Sequence, residues 1–212
     1  MTAPVRTTAE TPIGPAAFWT DAADEPRLRL VLGHGAGGGP KAADLEALAR
    51  ELPAHGVTVV RFEQPWRLAG KKVAPRPPVL DEAWLAALAT LPRDVPLVLG
   101  GRSSGARVAC RTAAELGAAA VVCLAFPLHL PGKPEASRLP ELTGAAEKLP
   151  VLVVQGERDT FGGPDEFPSG PHELVTIPGA DHGMKVLKGR SQREAIDAVV
   201  AAVRAFLAPI GE

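Results

Sequence analysis

Gly100-Gly101-Arg102-Ser103-Ser104-Gly105-Ala106 is the stretch on which the rest of the chain is organised. It follows an apolar run, Val95-Pro96-Leu97-Val98-Leu99, that reads as a buried strand. It leads into Ala106 to Leu116, where Val108, Ala109, Thr112, Ala113 and Leu116 recur at helical spacing. A strand, a tight glycine-flanked turn and a helix are the context that a G-x-S-x-G elbow requires. The reason is steric: a serine pushed out of the fold by a strained turn leaves no room for side chains two residues to either side. Gly101 and Gly105 fill those places around Ser103, whereas a frame on Ser104 would put Arg102 and Ala106 there. Ser103 is therefore the candidate nucleophile.

Working outward towards the N-terminus, Asp81 is read as capping a helix that runs to Leu91. Residues 63–80 carry so many prolines that they read as a long loop. Val57 to Phe62 is a buried, β-branched strand, and Lys41 to Leu52 is a helix with Leu45, Leu48, Ala49 and Leu52 on one face. Before it come the strand Arg27 to Leu32 and the loop Gly33-His34-Gly35-Ala36-Gly37-Gly38-Gly39. Val5 to Thr8 and Ala16 to Thr20 can pair as an edge hairpin around Pro12-Ile13-Gly14-Pro15. Towards the C-terminus, a strand over Ala120 to Ala125 precedes an irregular segment, 126–148. Strands at Leu149 to Gln155 and His172 to Ile177 follow, and then a helix over Ala195 to Leu207. Strands alternating with helices at this spacing predict an α/β fold, a parallel sheet covered on both faces.

Bulk composition narrows the function classes. The 212 residues fit one domain, 1–212, with no linker or repeat. A net charge of −1 argues against a nucleic acid or an anionic membrane as the main partner. No apolar run reaches the roughly 20 residues of a membrane span, and the N-terminus has no signal-peptide core. Cys110 and Cys123 read as small core residues, which makes a reducing cytoplasm the expected location.

In open α/β sheets, chemistry gathers at the carboxyl ends of the strands. Those ends carry His34, Glu63, Ser103, the Phe126–His129 turn, Asp159 and the Asp181-His182 pair. Acyl transfer by serine needs a hydroxyl, an imidazole base and a buried carboxylate that fixes the imidazole tautomer. Ser103, Asp159 and His182 stand in the chain order Ser, acid, His at three strand ends, which is the order of one hydrolase architecture. Asp159 is preferred to Asp165 and Glu166 because it lies nearest its strand, and rigid elements position catalytic groups best. The oxyanion donors expected are the backbone N–H groups of Ser104 and of Ala36 in the glycine loop. No cofactor and no metal is called for.

With these residues the chain resembles the α/β hydrolases. Within them it is similar to a small, lid-poor, dienelactone-hydrolase-like group, and most of all to the testis-expressed-30 and NSL-complex-subunit-3-like proteins. The residues that carry the resemblance are Gly33-His34-Gly35-Ala36-Gly37, Arg61-Phe62 with Pro65, Pro77-Pro78, Gly101 to Ala106, Phe126-Pro127-Leu128-His129 with Pro131-Gly132-Lys133-Pro134, Gln155-Gly156 with Asp159, and Asp181-His182. The resemblance implies an α/β-hydrolase fold with minimal lid and a serine-hydrolase site. Dienelactone-type relatives would offer a cysteine nucleophile, where this chain has Ser103. One branch of the subgroup resembles scaffolding subunits, so a catalytically silent, protein-binding fold is the alternative.

Trp66, Arg102, His129, Phe161 and Met184 fall on strand-end loops and are expected to line a substrate pocket. His34 is expected to shape the glycine loop by hydrogen bonding rather than act as a base. Arg67, Lys71, Lys72, Arg102, Lys133 and Lys185 are read as a charge-balanced solvated rim. Gly33, Gly35 and Gly38 also spell G-x-G-x-x-G, with Glu63 where a ribose-binding acid would sit. A dinucleotide site would leave Ser103, Asp159 and His182 unexplained. The function expected is therefore a serine hydrolase (carboxylesterase- or thioesterase-like) acting on a small-molecule acyl substrate, as a monomer or homodimer.

Overall fold

A computed structural model of the chain describes residues 3–211; Met1, Thr2 and Glu212, and whatever was read from them, lie outside the described residues. Eight strands form one sheet: β1 (Val5–Ala9), β2 (Ala16–Asp21), β3 (Leu28–Gly33), β4 (Val57–Glu63), β5 (Leu97–Arg102), β6 (Ala120–Leu124), β7 (Val151–Gly156) and β8 (His172–Ile177). Their order is β1-β2-β4-β3-β5-β6-β7-β8. The β1–β2 and β2–β4 pairs are antiparallel and all others are parallel. The proline-flanked hairpin therefore adds an antiparallel edge to a parallel sheet.

Successive residues of each central strand enter opposite cores, because strand side chains alternate. Leu30 and Leu32 join the layer under α1 (Ala43–Glu51) and α6 (Gln192–Leu207), with Leu45, Leu48, Val199 and Val203. Val31, Phe62 and Leu99 join the opposite layer, under α3 (Pro77–Leu88), α4 (Ser104–Thr112) and α5 (Leu139–Ala146). There Trp84 meets Phe62 edge-on, ring centroids 5.1 Å apart. Burial on both faces explains why these strands are continuous apolar runs.

Three expectations need correction. Residues 63–80 are not one irregular loop: a helical turn, α2 (Pro65–Leu68), and the start of α3 lie within them. That helix begins at Pro77, not at Asp81, and ends at Leu88. Likewise, α5 lies within the stretch read as irregular over 126–148. All three elements have proline in the first turn, where the missing N–H has no partner to lose and the fixed φ suits the helix. The prolines initiate helices here rather than exclude them.

Candidate active site

A single residue, Ser103, separates β5 from α4. Its backbone, at φ 52° and ψ −112°, is one that L-residues rarely adopt, and it turns the side chain out of the sheet. The turn is feasible because three glycines let α4 approach β3. A Cβ on Gly101 would lie 2.5 Å from the Gly33 carbonyl oxygen, and one on Gly105 would run into the same carbonyl group.

Asp159 follows β7 in the turn Gly156-Glu157-Arg158-Asp159, and His182 follows β8. The two loops are tied together. Glu157 N–H donates to Ile177 O (3.0 Å) and Arg158 N–H to Ala180 O (2.8 Å). They cross at Gly156, where an added Cβ would sit 2.7 Å from the carbonyl oxygens of Ala180 and Asp181. The side chains then line up in series. His182 Nδ1 lies 3.0 Å from Asp159 Oδ1 and 2.8 Å from Oδ2, and His182 Nε2 lies 3.0 Å from Ser103 Oγ. A carboxylate only accepts, so Nδ1 carries the proton and Nε2 presents its lone pair to the serine hydroxyl.

Asp159 is buried, and its remaining hydrogen-bonding capacity is met by the protein. Phe161 N–H donates to Oδ1 (2.8 Å) and the Gln155 side-chain amide to Oδ2 (2.9 Å). The Phe161 ring stacks on the His182 imidazole, centroids 4.2 Å apart and planes 28° apart. Carboxylate and ring thus hold the imidazole in both orientation and plane.

The serine opens into a cleft of about 1070 Å³, bounded by the glycine loop, the start of α3, the Pro127–Leu130 segment and the Gly183–Val186 turn. Ala36 and Ser104 line it, and the N–H of neither donates to an acceptor among the described residues. The glycine loop is pinned from behind by His34. Its Nε2 accepts from Gln64 N–H (3.2 Å), which leaves the Nδ1 proton for Gly35 O (2.9 Å). Burial pushes the His34 pKa down, so the neutral ring that these two bonds require is the one favoured. Glu63, at the end of β4, accepts from Trp19 Nε1 (3.1 Å).

The side chains expected to line a pocket separate into distinct groups. Phe161 is on the cleft. Arg102 also borders it, but its guanidinium donates to the fully buried Asp44 carboxylate (2.8 Å) and to the His182 carbonyl, so it fixes the histidine loop against α1. Trp66 is buried against His34 beside a cavity of about 10 Å³ behind the glycine loop, not on the cleft, because α2 turns its ring inward. Met184 is wholly buried under the sheet, because its positive φ of 53° carries the chain inward after His182. His129 lies away from the cleft. Its ring bridges Leu130 O and Glu166 Oε2, each at 2.9 Å, and so joins the loops after β6 and β7. Leu130 faces the cleft in its place.

Two positioning residues, Gln155 and Asp44, receive no role from a reading by strand ends, although Gln155 closes its strand. Each left one trace in the sequence. Gln155 is an uncharged polar residue that ends the apolar run Val151-Leu152-Val153-Val154, and Asp44 adjoins the apolar face of the first helix.

A family model described as an alpha/beta hydrolase domain matches residues 26–208, and the chain belongs to that family. Among solved structures, it is similar to the lid-less a/b serine hydrolase XC6422 from Xanthomonas campestris, at TM-score 0.72 and 23% identity over 98% of this chain and 97% of that one. An alpha-beta serine hydrolase homologue from Coxiella burnetii matches at TM-score 0.75 and 20% identity over 95% and 98%. Est1E from Butyrivibrio proteoclasticus matches at TM-score 0.67 and 16% identity over 98% and 100%. The mostly parallel sheet with helices on both faces is the α/β-hydrolase fold.

Proposed function

We propose that this protein is a serine hydrolase that cleaves a small ester, thioester or related acyl substrate through an acyl-enzyme. The observation that carries the reading is the unbroken series Ser103 Oγ, His182 Nε2 and Nδ1, and Asp159, opening on a cleft with two unengaged amides. His182 takes the Ser103 proton as the oxygen attacks the acyl carbon. Asp159 stabilises the imidazolium and keeps its tautomer, and the Ala36 and Ser104 amides receive the negative charge of the tetrahedral oxygen. His182 then protonates the leaving group. Water, activated by the same imidazole, releases the acid.

The neighbouring structures described as serine hydrolases support this reading, and the motifs from Gly33 to His182 support kinship with the testis-expressed-30 and NSL-complex-subunit-3-like proteins. We place the protein, as one domain, in the cytoplasm; the free, buried Cys110 and Cys123 thiols, 3.4 Å apart, accord with a reducing compartment. Among the described residues, no helix is long and apolar enough to cross a membrane.

Fluorophosphonate labelling beside p-nitrophenyl ester hydrolysis tests the proposal. Wild-type protein is expected to label on Ser103 and turn over. Ser103→Ala and His182→Ala should each lose several orders of magnitude in kcat, since such residues act as a unit. Turnover surviving in both variants would refute the assignment. Folded protein that neither labels nor turns over would favour the silent scaffold.

A further inference from the structure

The cleft around Ser103 has an unbalanced charge. Arg102, Arg107, Arg138 and Lys185 line it, and no Asp or Glu does. Three of these cations explain themselves. Arg102 is held by Asp44 and the His182 carbonyl. Arg107 forks onto Glu141 through Nε (2.8 Å) and Nη2 (2.6 Å), and Lys185 is exposed to solvent.

Arg138 differs. Its backbone N–H donates to Leu128 O (2.6 Å), which fixes the residue beside the cleft wall just before α5. The residue is half-buried, and its guanidinium reaches no carboxylate and no hydrogen-bond acceptor among the described residues, which leaves its nitrogens to solvent or a ligand. Burial first, and the Arg107 charge second, push its pKa below the usual arginine value. The one carboxylate that pulls the other way, Glu141, is already shared by Arg107 and Arg111. A partly buried guanidinium on a cleft wall with no protein partner has its donors free for an anionic ligand. Pro127 and Leu130 give the same cleft an apolar wall. Arg107 sits one helical turn along α4 from Ser103, its N–H on the serine carbonyl (3.2 Å). Arg107 and Arg138 therefore border the same cleft as the attacking oxygen.

We infer that the substrate is an ester carrying a carboxylate away from the scissile bond, and that Arg138 binds that carboxylate. The inference rests on the hydrolase reading and narrows its substrate class. Arginine suits the role, since its planar fork matches a carboxylate with two parallel hydrogen bonds. Arg138 is thereby a specificity residue. It takes no part in the proton transfers at Ser103.

Two matched ester pairs test the inference at low salt, each rate divided by that of the same ester in dilute hydroxide. Monoethyl adipate against ethyl hexanoate puts the carboxylate on the acyl side. The 4-acetoxybenzoate anion against 4-methylphenyl acetate puts it on the leaving group. In at least one pair, kcat/KM should favour the charged ester by about tenfold or more, a typical margin for a charge-assisted hydrogen bond. The favoured pair then tells which side of the bond faces Arg138. Arg138→Leu should bring that ratio down at least about tenfold, and Arg138→Lys should restore part of it. Arg204→Leu, which makes the same charge change beside His55, should leave the ratio where it was. Competitive inhibition by adipate but not by hexane-1,6-diol reads the same site without any variant. A neutral preference in both pairs, or a charged preference that survives Arg138→Leu, overturns the inference. Ser103 labelling with no charge preference defeats this inference alone, whereas no labelling and no turnover of any ester defeats the hydrolase reading beneath it.

Discussion

Ser103 is held where few L-residues sit, at φ 52° and ψ −112°, and such a backbone costs about 1–3 kcal/mol. Glycine there would relieve the strain but lose about 0.4–1 kcal/mol through the freer unfolded chain. The first effect is the larger, so Ser103→Gly should raise Tm above that of Ser103→Ala by a few degrees while leaving no activity. Differential scanning calorimetry of the two variants decides it, and an unchanged or lower Tm would mean that the turn is unstrained. Arg102 makes the opposite case. Arg102→Met would leave the fully buried Asp44 carboxylate without its cation and free the His182 carbonyl. Destabilisation of about 3–5 kcal/mol is expected from urea titration, and most of it should vanish in the Arg102→Met, Asp44→Leu double variant.

At the scale of elements, the elbow depends on how closely α4 crosses β3. Gly105→Ala would drive a methyl into the Gly33 carbonyl, which is backbone and has little room to yield. A loss of at least about 3 kcal/mol, or no folded protein, is expected, against near neutrality for Gly144→Ala in α5, where the space is open. This part of the fold was legible in the sequence, because alternating strands and helices, glycine spacing and the order Ser, acid, His are local patterns. The helices that start on proline were not. Pro65, Pro77 and Pro140 mark a loop in an isolated window and a helix start only when the following turns pack, as Trp84 and Leu142 do. Trp66 and Met184 escaped for a similar reason: a loop residue's direction is set by tertiary contacts, not by its position after a strand.

The loops over the site are joined by His129 and Glu166, and this clamp has a pH signature. The Leu130 carbonyl first, and Glu166 second, hold the His129 pKa above the usual histidine value of about 6.5. The native state therefore binds this proton more tightly than the unfolded chain does. The stabilisation is fully present below about pH 6.5 and is lost as pH rises through the elevated value. Tm measured from pH 6 to 9 should fall less steeply in His129→Gln than in the wild type. Parallel curves would exclude the clamp. His34 acts in the other direction, since burial lowers its pKa and its contribution fades as pH drops below about 6.5.

Over the whole molecule, the segment between β6 and β7 carries only α5, and the cleft lies open beside it. On the hydrolase reading, a growing acyl chain would bury its first carbons against Pro127 and Leu130 and leave the rest in water. Each buried methylene contributes about 0.8 kcal/mol, roughly fourfold in kcat/KM, and each solvated one contributes nothing. Across p-nitrophenyl esters from acetate to decanoate, kcat/KM should climb over the first few carbons and then level off. A continued rise to decanoate would point to an enclosed acyl tunnel.

The three side chains of the series hang from β5, β7 and β8, and β6 must be inserted before β7 and β8 can reach them. On the hydrolase reading, reaction competence therefore waits until β8 and the loop after it are in place. A polypeptide released before residue 182 would lack the proposed base, and a refolding one should stay inert until the far edge has zipped into register. Recovery of turnover after dilution from denaturant should accordingly lag behind the return of secondary structure. The interval between the two would time the docking of the final strands.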